Sequence, residues 1–247
     1  MDYNDFEAKL ETSRGAVIIA TLGNTITSAI DNVRTIRNII QKKKVEAYVH
    51  ADAAFDGMIL PFIKTCYPFQ LTDGIDSISI SGHKIIGAPL PCGIVLIHKK
   101  YIDYTKRSID IIDNFDCTVT GSRAGFASLI LWEAIFKNKY KGFQKFIEEC
   151  LEKAERFTNL CNQAGVPAWK FEHAMTIVLD RLPEEITKKW RAPSNNQYTT
   201  LTALPKLTEK MLRQLLYDIK YFKQYNKLPT INKGISFPKI SKQVFLE

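Results

Sequence analysis

Apolar positions follow two different rhythms along this chain, and the change comes near residue 140. In the first part they cluster in short runs. Residues 16–22, Ala-Val-Ile-Ile-Ala-Thr-Leu, form a continuous apolar and β-branched run, the pattern of a strand buried on both faces of a parallel sheet. The run ends at Gly23-Asn24-Thr25, a turn of small polar residues. Asp31 and Asn32 then offer N-cap side chains to a helix with Val33, Ile36, Ile39 and Ile40 on one face. Val45 to Asp52 reads as a second strand, completing a strand-helix-strand unit with a right-handed crossover. Asp76 to Ile80 alternates polar and apolar as a third strand. Gly93 to Ile97, after the Pro89-x-Pro91 turn, predicts a fourth, antiparallel because its connection is so short.

From Lys141 the period becomes helical: Phe143, Phe146, Ile147, Cys150, Leu151, Ala154, Phe157, Leu160 and Cys161 repeat on one face, and Gly165 with Pro167 stops the run. A strand over 174–179, a short helix opened by Pro183, a strand near 199–204 and a helix over 208–225 follow. The predicted division is an α/β sheet domain over 1–138 and a smaller α/β domain over 139–247, with an irregular tail from about 226. Residues 6–12 read as helical or irregular.

Bulk properties narrow the classes. With 247 residues, 45% hydrophobic and 24% charged, the chain has the composition of an ordinary globular protein with a substantial core. The formal charge is +8, yet the basic residues are scattered. Their densest run, Lys42-Lys43-Lys44, sits at a helix C-terminus, where the helix dipole favours it; a nucleic-acid partner is therefore not expected. No apolar run reaches the ~20 residues of a membrane span. Five cysteines without a C-x-x-C pair, behind a polar start with no leader pattern, point to a reducing, cytoplasmic setting.

Ligands of open α/β sheets sit beyond the carboxyl ends of the strands. Thr25 and Asp52 fall just past such ends, and the third strand delivers Ser81, His83 and Lys84 to a comparable edge. These residue types suit pyridoxal phosphate (PLP): a lysine amine for the aldehyde, a carboxylate for the pyridine nitrogen, small residues against the ring, and hydroxyl or imidazole groups near the phosphate. Plainer readings compete. An Asp at a strand end is commonly a turn former, and a lone lysine is commonly solvated. His50, Asp52 and His83 offer metal-ligating types, although no third ligand has diagnostic spacing. Cys92 and Cys117 have no evident base partner.

Two long motifs sharpen the choice. His50-Ala51-Asp52-Ala53-Ala54-Phe55-Asp56-Gly57-Met58-Ile59-Leu60-Pro61-Phe62 and Ser79-Ile80-Ser81-Gly82-His83-Lys84-Ile85-Ile86-Gly87-Ala88-Pro89-Leu90-Pro91-Cys92-Gly93 closely resemble group II PLP-dependent amino-acid decarboxylases, nearest to the bacterial-type histidine decarboxylases, with plant serine decarboxylases as near relatives. Thr120-Gly121-Ser122-Arg123 and Lys141-Gly142-Phe143-Gln144 look like later landmarks of the family. The resemblance implies a fold-type I, aspartate aminotransferase-like α/β sheet that is N-terminally truncated, a PLP cofactor, and decarboxylation of an amino acid, with histidine first and serine as the alternative. It matches Lys84 to the Schiff-base lysine and Asp52 to the pyridinium partner. Ala54 would pack on the ring and Thr25 lie near the phenolic oxygen. Ser81 and His83 would contact phosphate or order the lysine, and Ser122 would contribute across a dimer interface. It further implies a homodimer, or pairing with a chain that supplies the upstream loop cupping the phosphate and the ring-stacking histidine. Asn24 stands where the family usually has Thr, and Phe126 where relatives commonly have His. A non-catalytic remnant acting as an interaction protein is the competing expectation.

Overall fold

The computed structural model describes residues 1–64, 67–109, 113–117 and 123–229. Helix α1 (Tyr3–Lys9) precedes strand β1 (Ala16–Thr21), helix α2 (Val33–Lys43) and strand β2 (Ala47–Asp52), followed by β3 (Ser77–Ser81) and β4 (Gly93–Ile97). These four strands form one sheet in the order β1-β2-β3-β4. The first three are parallel, and β4 pairs antiparallel with β3, as the short connection requires. A short helix α3 (Lys99–Ile102) and the hairpin β5 (Arg107–Ile109) and β6 (Asn114–Asp116) lead to the long helix α4 (Gly125–Gln163). The C-terminal unit holds β7 (Ala168–Trp169), β8 (Thr176–Asp180), α5 (Glu184–Trp190), β9 (Tyr198–Thr202) and α6 (Glu209–Tyr225), with its strands antiparallel in sequence order.

Side-chain alternation splits the first sheet into unlike faces. Ile18, Ala20, Val49, Ala51 and Ile78 point to one side, where Val33, Ile36, Ile39 and Ile40 of α2 cover them. Asn32 caps α2 by accepting the Thr35 N–H at 3.2 Å. Asp31, predicted as an alternative cap, instead accepts the Thr21 N–H at 2.9 Å and ties the helix entry to the end of β1. The other face corrects the expectation of a strand buried on both sides: Val17 and Ile19 are 76% and 61% exposed. Among the described residues nothing covers β1 there. An apolar run reveals what a strand can bury, and the packing partner decides how much of it is buried.

Helix α4 is interrupted at Lys139, whose φ of 52° and ψ of −171° leave the helical region. Its first half was not anticipated. Phe126, Leu129, Trp132 and Phe136 are exposed, so no polar side marks the helical period. The second half buries Phe143, Ile147, Cys150, Ala154, Phe157 and Cys161. A third cluster joins the two units: Ile59 after β2, Ile85 beside Lys84, Ile147 and Cys150 of α4, and Met175 before β8. None of the described helices is long and apolar enough to cross a membrane.

The entry to β3 is fixed by a carboxylate. Asp76, buried at 7% exposure, accepts the Val49 N–H at 2.8 Å, the Tyr101 hydroxyl at 2.8 Å and the Arg37 guanidinium at 2.5 Å. Burial alone would raise its pKa, but these three donors outweigh it and hold the carboxyl below its ordinary range. Folded Asp76 therefore binds its proton less readily than unfolded Asp76. The stability it contributes is full above the ordinary carboxylate range and is lost as pH falls through the lowered value. Replacing Asp76 with Ala strands the Arg37 charge and should cost about 3 kcal/mol in urea unfolding at neutral pH, with the loss shrinking in acid.

Candidate active site

Parallel pairing aligns the carboxyl ends of β1, β2 and β3. Thr21 is in register with Asp52, and Asp52 with Ser79. Past the strands the ladder continues, because Leu22 donates to the Asp52 carbonyl at 2.7 Å, Ala53 to Ser79 at 3.0 Å and Ser81 to Ala54 at 3.0 Å. Thr25, Asp52, Ala54, Ser81, His83 and Lys84 are thus delivered to the same edge by three neighbouring strands. Ser122, with Thr120 and Gly121, lies outside the described residues.

Each member is held differently. Asp52 is exposed at the strand end, and its carboxylate accepts the Ala54 N–H at 3.1 Å. Lys84 has an exposed side chain, while Ile85 beside it is buried in the cluster with Ile147 and Met175. The neighbour of the lysine is thus packed, while the lysine's own side chain reaches solvent. Among the described residues neither Asp52 nor Lys84 forms an ion pair. His83 is latched to the far side of the β3–β4 turn: Cys92 donates its N–H to Nδ1 at 3.2 Å, and Nδ1 also lies 3.1 Å from the Cys92 carbonyl oxygen. The ring tautomer decides which contact is a hydrogen bond. Gly82 has no room for a side chain, since a Cβ there would meet Cys92 Sγ and Leu131 Cδ2 at 2.7 Å.

Asn24 shapes the turn that carries Thr25. Its side-chain oxygen accepts the N–H groups of Ile26 at 3.1 Å and Thr27 at 2.7 Å, and the Thr27 hydroxyl at 3.0 Å. An amide at this position closes an Asx turn, which gives the Asn24 departure a local structural role. The far end of the turn docks on the C-terminal unit. Ser28, at φ 58°, donates its hydroxyl to Thr176 Oγ1 at 3.1 Å and accepts from His173 Nε2 at 2.8 Å through its carbonyl. His173 is stacked on Phe171. Burial, the largest influence on it, holds its pKa below the ordinary histidine value.

His50 does not share a cation site with Asp52 and His83. Its Nδ1 lies 2.7 Å from Ser77 Oγ and its Nε2 3.1 Å from Ser79 Oγ. Among the described residues no group of His, Cys, Asp and Glu is arranged to hold a metal. An open hollow of about 440 Å³ lies along α4 between Glu152, Arg156 and Gln163, and none of its lining residues belongs to this edge.

One residue of the site was not anticipated. Asp56, inside the first motif, is fully buried, and among the described residues neither carboxyl oxygen has a hydrogen-bond partner. It lies against Gly23, where a Cβ would stand 2.2 Å from Asp56 Oδ2. Burial pushes its pKa up to about 7, and the nearby Ser28 hydroxyl and Lys84 amine oppose this only in part. The Ser28 hydroxyl is directed to Thr176, so it leaves the carboxyl unpaired. Sequence gave little signal, because Phe55-Asp56-Gly57 reads as an ordinary turn.

Comparison with known proteins identifies the family. Residues 3–182 match the family model described as the pyridoxal-dependent decarboxylase conserved domain. The chain belongs to the pyridoxal-dependent decarboxylase family. Histidine decarboxylase of Morganella morganii is 36% identical over 228 residues, which cover 89% of this chain and 60% of that protein. Histidine decarboxylase of Raoultella ornithinolytica is 42% identical over 174 residues, covering 68% and 76%. Among solved structures, the internal aldimine form of L-methionine decarboxylase from Streptomyces sp. 590 superposes with a TM-score of 0.73 at 22% identity, covering 90% of this chain and 57% of that one. Sphingosine-1-phosphate lyase of Burkholderia pseudomallei gives 0.74 at 13% identity, covering 91% and 55%. These similarities show the fold-type I architecture. The chain spans about 60% of the Morganella relative's length.

The raised Asp56 carboxyl has a thermodynamic signature. Folded Asp56 keeps its proton where unfolded Asp56 has lost it, so stability falls as pH rises from the ordinary carboxylate value to about 7, and then levels off. Asp56→Asn should be more stable than wild type by a margin that grows across this window to about 4 kcal/mol. Urea midpoints measured across the range check this, and a margin independent of pH would contradict it.

Proposed function

We propose that this chain carries the lysine-bearing part of a PLP-dependent amino-acid decarboxylase that converts L-histidine to histamine and carbon dioxide. The observation that carries the reading is the delivery of Lys84 and Asp52, neither in an ion pair among the described residues, to one sheet edge in a member of this family. The donor set suits the cofactor: an amine for the aldehyde, a carboxylate for the pyridine nitrogen, and the small side chain of Ala54 between them in the sequence. Bound PLP supplies an electron sink that lets the α-carboxylate leave as carbon dioxide. Lys84 would hold the cofactor's aldehyde end through Nζ, and the Asp52 carboxylate would keep the ring nitrogen protonated. Thr25 and Ser81 would offer hydroxyl donors, and His83 orders the turn that bears the lysine. Histidine as substrate rests on curated relatives named histidine decarboxylase at 31–42% identity.

The division near residue 138 is part of the same proposal, supported by the break at Lys139 and by separate cores on either side. So is a partner, either a second copy with Ser122 reaching across or a chain supplying the upstream loop and ring-stacking histidine. Its support is the apolar surface of Val17, Ile19 and Val95 on the sheet and Phe126, Leu129 and Trp132 on α4. A reducing, cytoplasmic setting accords with the free thiols of Cys92, Cys117, Cys150 and Cys161.

Carbon dioxide release from L-histidine and L-serine tests the substrate, for the chain alone and with the N-terminal region of a histidine decarboxylase added in trans. Histidine should turn over and serine should not. Lys84→Ala should abolish turnover, and Asp52→Ala should lower it on the order of 10²–10⁴-fold. Full turnover in Asp52→Ala would overturn the assigned role. No turnover of either amino acid in any arrangement would favour the non-catalytic remnant.

A further inference from the structure

The C-terminal unit contains a cavity of about 130 Å³ whose walls include Leu179, Leu182, Ile186 and Ile219. All four are buried, and they come from β8, the link that follows it, α5 and α6. The depth of the cavity is apolar, and its mouth is charged. Three of its lining residues are exposed: Asp180 at the end of β8, Arg181 next to it, and Lys223 in the last turn of α6. Among the described residues none of the three is in an ion pair. The Arg181 backbone is fixed, because its N–H is donated to the Gln197 carbonyl at 2.9 Å. No lining residue belongs to the sheet edge that bears Lys84.

We propose that this cavity binds a small zwitterion with a branched apolar side chain, an α-amino acid of the leucine or valine type. Size sets the first limit. An apolar cavity of roughly 150 Å³ holds a benzene-sized guest, whereas drug-sized ligands occupy about 300–1,000 Å³. A side chain of three or four carbons therefore fits, and a nucleotide does not. Such a cavity stays dry when empty, so its walls favour an apolar group over water. Charge sets the second limit. Two cations and one anion at the mouth match a ligand that carries both signs, with its α-carboxylate on Arg181 and Lys223 and its α-ammonium on Asp180. An apolar carboxylate lacking the ammonium leaves Asp180 facing a like charge, and an apolar amine leaves the two cations facing one. The site stands apart from Lys84 and does not depend on the decarboxylase reading.

Methyl NMR of protein labelled at the isoleucine δ1 carbons tests this, with the Ile186 and Ile219 signals assigned by their loss in Ile186→Val and Ile219→Val. L-leucine should shift both signals with a Kd of about 1 mM. L-valine, one methylene shorter, should bind roughly fourfold more weakly. 4-Methylpentanoate keeps the side chain and carboxylate but lacks the ammonium. It should bind more weakly than L-leucine, and Asp180→Asn should remove that difference. Arg181→Ala should weaken L-leucine about threefold. Because Asp180 and Arg181 are exposed, both variants should fold. Lys84→Ala should leave the affinity unchanged, and loss of L-leucine binding there would overturn the proposal by moving the ligand to the sheet edge. Signals unmoved at about ten times the expected Kd would also overturn it, as would 4-methylpentanoate binding the wild type as tightly as L-leucine. Signals that respond to deletion of residues 230–247 but not to L-leucine would assign the cavity to the chain's own terminus and overturn it as well.

Discussion

The candidate site depends on the parallel register of three strands. Thr21, Asp52 and Ser79 share one row across β1, β2 and β3. Because parallel strands end on the same side, every residue just past that row joins the same edge. The acid of one motif and the lysine of the other, separated by 32 positions in sequence, reach the same edge for this reason. A slip of one residue in β2 would turn Asp52 into the α2 core and bring Ala51 to its place. The packing of Val49 and Ala51 against α2 prevents that slip, so the core beneath the sheet fixes the chemistry above it.

A second constraint sets the depth of the site. The Gly23–Ser28 turn is tied at one end by the Asn24 side chain and at the other to His173 and Thr176 of the C-terminal unit. Ile85 draws the lysine-bearing turn into the cluster shared with Ile147 and Met175. The two turns facing Asp56 are thus both held by contacts to the second unit. That unit contributes to the site by fixing backbone positions, through His173 and Thr176 at Ser28 and through Met175 beneath Ile85.

Much of this was legible in the chain itself. Helix α2 declared its inner face through Val33, Ile36, Ile39 and Ile40, because a helix with one covered face must show the 3.6 period. The serines of β3 alternated with Ile78 and Ile80 for the equivalent reason in a strand. The motifs around Asp52 and Lys84 identified the chemistry by family resemblance, which residue spacing alone left open. Three features escaped for physical reasons. The helix over 125–138 has apolar side chains facing solvent, which erases the contrast on which periodicity depends. The exposure of Val17 and Ile19 depends on what covers β1, which strand composition does not encode. Asp56 looks like a turn residue until the path of the chain puts it beneath Gly23.

The central claim is that this edge holds PLP through Lys84. Incubating the protein with PLP, reducing it with borohydride and mapping the adduct by mass spectrometry tests it most directly. The account predicts a single stoichiometric adduct on Lys84 that disappears in Lys84→Ala. Absence of an adduct, or labelling spread over the surface lysines with Lys84 no more reactive than the rest, would contradict it.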